Sequence, residues 1–177
     1  VDLDGTLIRQ ETHHLALQSL RGAGSLKTVC QLMGLWLMKG AWHAKVFALM
    51  KSPRSVLDDV KIRPFMVDFL RREKEKGREI ILITGAPYRV ARFFQKKCPF
   101  IDRVFASYPG FNCVGRAKER LLKARYGLYG FDYVGNSVKD LYVWRSSYTA
   151  YGVSVSKWTT VLWFFYEGRH KKLVKLD

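Results

Sequence analysis

Val1-Asp2-Leu3-Asp4-Gly5-Thr6-Leu7-Ile8 (VDLDGTLI) is the stretch that decides how the chain is read. Its apolar residues suit the end of a buried strand, and Gly5 lets the backbone turn sharply and approach an anion closely. Asp2 and Asp4 stand two residues apart, so both carboxylates can project toward one cavity at that strand end. Together they could hold a divalent cation, which prefers oxygen ligands. A lone D-x-D occurs in many loops, whereas D-x-D-G-T after an apolar residue is a much narrower pattern. Val1 already lies inside the strand-like run, so the reading expects more of that strand upstream and a longer parent protein.

Working outward, apolar runs and breakers lay out alternating elements. Pro64 opens a helix, PFMVDFLRREKEKG, and Gly77 closes it. Glu79–Thr84 (EIILIT) is short, almost wholly apolar and bounded by turn residues, as a parallel strand buried on both faces would be. Pro87–Lys97 reads as helix, Asp102–Ser107 as strand, Ala117–Tyr126 as helix and Phe131–Gly135 as strand. A helix over Ser137–Ser146 and a last strand over Tyr148–Val155 follow. Such alternation implies an α/β fold with a doubly wound parallel sheet. In these sheets the site lies at the carboxyl ends of the strands. Asp2, Asp4, Thr84, Asn136 and Asp140 all fall at or just after predicted strand ends.

The totals bound the function. The 177 residues suggest one domain with a small insertion, and 48% hydrophobic residues exclude a disordered chain. A formal net charge of +16 attracts anions without choosing among phosphorylated substrates, acidic lipid and nucleic acid. Basic residues are interleaved with acids, as in RREKEKGR, and no nucleic-acid motif appears, so no nucleic-acid partner is expected. Cys30, Cys98 and Cys113 form no metal clip or redox motif and read as reduced cytosolic thiols. His13, His14, His43 and His170 form no H-x-x-x-H pair, which argues against zinc.

VDLDGTLI resembles the first motif of the haloacid dehalogenase (HAD) superfamily, and three further motifs follow in order. ILITGAP resembles the second, with Thr84 at its strand end; GRAKERLLKARYG resembles the third, with Lys118 early in a helix. FDYVGNSVKDLYVW resembles the fourth. The resemblance implies a Rossmann-like HAD core over 1–10 and 56–156 and a magnesium-dependent phosphohydrolase acting on a phosphomonoester. It implies that Asp2 attacks phosphorus to form an aspartyl-phosphate and that Asp4 is the general acid and base. Thr84 would bind a phosphoryl oxygen, Lys118 would neutralise charge, and Asp140 would complete the catalytic set. Mg2+ would be held by Asp2, by Asp4 through its backbone carbonyl, and by the fourth-motif loop at Asn136. Asn136 stands where the fourth motif usually has Asp, and it offers a carbonyl oxygen without charge. The crowding of Arg116, Arg120, Lys123 and Arg125 around Lys118 is the bland alternative, in which Lys118 is one more solvated helix charge.

FDYVGNSVKDLYVWR and REKEKGREIILITGA further resemble the HAD domains fused to UbiA-type membrane prenyltransferases. That implies a lipid-linked substrate, a cytoplasmic place at the inner membrane face, and an alternative role as a weakly active or non-catalytic module regulating a prenyltransferase. A helical cap over 11–55, inserted after the first strand, is heavily apolar and carries interspersed lysines. It reads as packed on the core or as touching membrane. The aromatic and basic tail, 157–177, reads equally as a core element, a lead-in to another domain or a membrane-surface anchor.

Overall fold

In a computed structural model, residues 1–12, 14, 26–39, 43–44, 47–48, 55–167 and 173–176 are described. The elements in chain order are α1 (Leu26–Lys39), α2 (Ser55–Asp58), α3 (Pro64–Glu75), β1 (Ile81–Pro87), α4 (Tyr88–Lys97), β2 (Arg103–Ser107), α5 (Arg116–Tyr126), β3 (Tyr133–Gly135), α6 (Leu141–Ser146), β4 (Ala150–Val153), α7 (Lys157–Glu167) and β5 (Leu173–Leu176). A 3-10 turn, Val138–Asp140, precedes α6.

All strand pairs are parallel: β1 with β2, β3 with β4, and β4 with β5. The N-terminal residues join the two groups. Val1 donates to Ile81 O at 2.8 Å and accepts from Ile83 N at 2.9 Å, while Asp2 N donates to Val134 O at 2.9 Å. The strand order is therefore β2, β1, the Val1–Asp2 segment, β3, β4, β5. That central position puts the Asp2–Asp4 loop at the middle of the sheet's carboxyl edge.

Successive strand residues face opposite sides, and the core divides accordingly. Leu82, Val134 and Val153 pack with Met66, Leu70, Val90 and Phe94 of α3 and α4. Ile83, Tyr133 and Ala150 pack on the other side with Leu122, Leu141, Trp144 and Trp163 of α5, α6 and α7. Both faces are covered by helices, which is the doubly wound α/β architecture expected.

Four details differ from the reading of the sequence. Strand β1 runs on to Pro87, past the strand end read at Thr84. Ser137–Ser146 is not one helix: Ser137 and Asp140 form a capping box that tightens the first turn to 3-10 before α6. Tyr148–Val155 shortens to β4 and is not the last strand, because β5 adds a parallel edge beyond it. Lys157–Glu167 is a helix that carries the chain from β4 to β5, with Trp163 buried against Trp144 at 5.9 Å between ring centroids. The tail so joins the sheet. Much of the expected cap, 11–55, lies outside the described residues; within it α1 is helical and Ala48 is fully buried in the core. Among the described residues no helix is long and apolar enough to cross a membrane.

Candidate active site

The first loop is shaped by where its neighbours stand. Gly5 has φ +71°, and a Cβ there would lie 2.1 Å from Asn136 Nδ2. Only glycine lets the first and fourth loops touch. Gly135 is under a similar constraint, since its Cβ would lie 2.7 Å from the Asp140 carboxyl carbon.

Lys118, in the first turn of α5, is 3% exposed. Its ammonium lies 3.1 Å from Asp2 Oδ1 and 3.6 Å from Asp140 Oδ1. Burial disfavours its charge, but Asp2 and Asp140 outweigh that and raise its pKa above the ordinary value. It is not a solvated helix charge. The Asp2 pKa is raised as well, which disfavours its charged form: burial dominates, Lys118 opposes it and Asp140 reinforces it. One ammonium is shared between two carboxylates, with the shorter approach to Asp2.

Asp4 accepts from Thr12 N at 3.0 Å and from Thr12 Oγ1 at 3.3 Å. Burial pushes its pKa up to about 7, helped by the like charges of Asp2 and Glu11 and opposed by the Thr12 hydrogen bonds. A carboxyl poised there can both give and take a proton near neutral pH. Thr84 is 1% exposed midway along β1, where the regular register with β2 breaks. Its hydroxyl accepts from Ala86 N at 3.0 Å, which leaves the O–H to donate.

Asp140 is an anchor for the fourth loop. Its Oδ2 accepts from Asn136 N at 3.1 Å, Ser137 N at 3.0 Å and Ser137 Oγ at 3.1 Å. Its Oδ1 accepts from Tyr133 OH at 2.7 Å, and the same phenol accepts from Lys118 Nζ at 2.7 Å. Asp2, Lys118, Asp140 and Asn136 are thus linked in one cluster around buried Lys118 and Asp140; Asp4 adjoins it through the loop, and Thr84 belongs to the neighbouring strand β1.

Sequence reasoning missed Tyr133, Thr12 and Arg63. Arg63 Nη2 donates to Gly5 O at 3.2 Å and so braces the first loop from the start of α3. Thr6 Oγ1 and Arg63 Nε, beside it, are buried without a hydrogen-bond partner among the described residues. Thr12 signalled itself only as a polar residue near the loop, and Tyr133 as an aromatic in a strand otherwise apolar.

No group of ≥ 3 His, Cys, Asp or Glu side chains that could hold a metal occurs among the described residues. A cation here would therefore need mixed donors. The residues fit one: Asp2 and Asp140 share a single ammonium, Asp4 has Thr12 as its donor among the described residues, and the Asn136 amide lies against Gly5. An excess of buried carboxylate beside an amide is the hard-oxygen setting that suits Mg2+.

The profile of the family described as haloacid dehalogenase-like hydrolase matches residues 1–145. The chain belongs to this family. It is 30% identical over 148 residues to the uncharacterized protein y4nM of Sinorhizobium fredii (strain NBRC 101917 / NGR234), covering 82% of this chain and 28% of that protein. The chain thus spans less than a third of that relative's length. Among solved structures, a substrate-bound phosphoserine phosphatase superposes with a TM-score of 0.65 at 14% identity, covering 90% of this chain and 87% of the other. A protein of unknown function from Bordetella pertussis Tohama I superposes with a TM-score of 0.72 at 16% identity, covering 99% and 96%. At these identities the likeness is one of fold. Family membership places the chain among haloacid dehalogenase-like hydrolases, and the neighbours share its fold.

Proposed function

We propose that the chain is a magnesium-dependent phosphohydrolase that cleaves a phosphomonoester through an aspartyl-phosphate on Asp2. The observation that carries this is the pair of buried Lys118 and partly buried Asp2, 3.1 Å apart, on the central carboxyl edge of the sheet beside an Asp4 raised to about 7. An Asp2 oxygen attacks phosphorus, the ester P–O bond breaks, and the leaving oxygen takes the Asp4 proton. Water then attacks the same phosphorus and gives its proton to Asp4; the acyl-phosphate P–O bond breaks, releasing Asp2 and inorganic phosphate. Lys118 and the Thr84 hydroxyl stabilise charge on the phosphoryl oxygens. Asp2, the Asp4 carbonyl and Asn136 would hold Mg2+, which when bound supplies further positive charge to those oxygens. The substrate is a phosphorylated small molecule. The test is hydrolysis of an aryl phosphate with and without Mg2+, in wild type and Asp2→Asn. Magnesium-dependent turnover that disappears in the variant supports the reading; equal rates in the two proteins refute it.

A second reading has one observation in its favour. Trp158, Leu162 and Phe165 on α7, and Trp36, Leu37 and Met38 on α1, are exposed, with Phe165 at 78% and Met38 at 85%. Exposed aromatics on a chain of net charge +16 suit contact with an anionic membrane face, where the substrate would be lipid-linked or the domain would couple to a membrane prenyltransferase. Vesicles containing anionic phospholipid should then co-sediment the protein, and Trp158→Ser with Phe165→Ser should weaken that. No binding to such vesicles would remove this reading and leave the first intact.

A further inference from the structure

Tyr133 is fully buried on β3, two residues before the fourth loop, and the hydrolytic scheme gives it no part. Its volume fills the core on the α5–α6 face, among Ile83, Leu122 and Trp144. A phenylalanine would fill that space equally well. The hydroxyl is therefore the feature that needs an account.

That hydroxyl sits between two groups that would otherwise meet. It accepts from Lys118 Nζ at 2.7 Å and donates to Asp140 Oδ1 at 2.7 Å. The direct distance from Nζ to Asp140 Oδ1 is 3.6 Å, beyond hydrogen-bond reach, while Nζ to Asp2 Oδ1 is 3.1 Å. Partly buried Asp2 and buried Asp140 compete for one ammonium, and the closer approach goes to Asp2. The phenol O–H gives Asp140 the donor that the ammonium would otherwise supply.

We propose that Tyr133 is a positioning residue, whose phenol oxygen holds the Lys118 ammonium on Asp2 and away from Asp140. This rests on the phosphatase reading of the Asp2 site. Lys118 has three N–H donors; one goes to Tyr133, one faces Asp2, and the third is left for a phosphoryl oxygen. The other Asp140 oxygen holds Asn136 and Ser137, so the phenol also ties the fourth loop to the lysine. Without the hydroxyl, Lys118 and Asp140 both lose a partner in a dry site and close on each other. The lysine is then drawn off the nucleophile while the loop stays anchored.

The test is Tyr133→Phe, which keeps the ring and so the packing. With an aryl phosphate and Mg2+, kcat should fall about 10- to 100-fold, the scale of a small misplacement of a catalytic group. KM should change less than kcat, by about 3-fold, because the Thr84 contact to the phosphoryl group remains and only the lysine contact is weakened. A crystal structure of the variant should show Nζ nearer Asp140 than Asp2. A merely space-filling tyrosine would leave kcat and the lysine position unchanged, and that result overturns the proposal. Should wild type itself show no turnover, the phosphatase reading fails separately, and the crystal structure still decides: an ammonium that stays on Asp2 overturns the positioning role, and one that moves to Asp140 supports it.

Discussion

Thr12 controls Asp4 through two hydrogen bonds, of 3.0 and 3.3 Å, that favour the carboxylate. Burial wins against them and holds the carboxyl at about 7, against an ordinary 3.8. Thr12→Val deletes the hydroxyl bond and keeps the backbone one, so the Asp4 pKa should rise further. Carboxyl-carbon NMR titration of the metal-free protein would show it; a fall, or no change, would mean that Thr12 does not tune this acid. The residues themselves were unequally legible. Asp2, Asp4 and Lys118 could be picked out because their types and spacing form recognisable motifs. The hydrogen-bond partners that tune them, Thr12, Tyr133 and Arg63, come from tertiary contacts that no local pattern encodes. Asp140 was legible as a position, while the four donors that occupy its two oxygens were not.

At the scale of elements, a polar clasp closes the edge of the sheet remote from the catalytic loop. Glu73 on α3 accepts from Lys76 Nζ at 2.7 Å and from Arg78 Nη1 at 2.9 Å. Arg78 reaches on to Asp132 at 2.5 Å, and Asp132 Oδ1 accepts from Thr149 N at 2.8 Å. The clasp connects α3 to the segments entering β3 and β4. Burial alone would raise the Glu73 carboxyl, but the bonds from Lys76 and Arg78 outweigh it and hold the pKa below the ordinary 4.5. A depressed pKa in the folded state means stability that is present above 4.5 and lost as pH falls through the folded value. Glu73→Gln should therefore cost roughly 1–2 kcal/mol at neutral pH, and the difference from wild type should vanish in acid. Denaturant unfolding at both pH values would measure it; a difference that persists in acid contradicts the ionic account. Long apolar strands such as β1 and helices with clear start and stop residues, such as α3, could be read directly. The edge strand β5 could not, because Leu173–Leu176 is only 4 residues long, partly exposed and broken by Lys175. The 3-10 turn also escaped, since it depends on a capping pair rather than on periodicity.

For the whole molecule, the alternation of strands and helices was enough to predict a parallel doubly wound sheet, but it could not order the strands. The order follows from hydrogen bonds that seat Val1 and Asp2 between β1 and β3. That placement brings motifs separated by more than a hundred residues to one edge: Asp2 lies 3.1 Å from Lys118, and Gly5 lies against Asn136. The central claim is that this edge performs phosphoryl transfer through Asp2. Its most direct test is an acid quench of the protein during turnover of an aryl phosphate with Mg2+, followed by peptide mass mapping. The account predicts one phosphoryl group on the peptide containing Asp2, and none in Asp2→Asn. Turnover by wild type without that adduct, or an adduct on another residue, would contradict it.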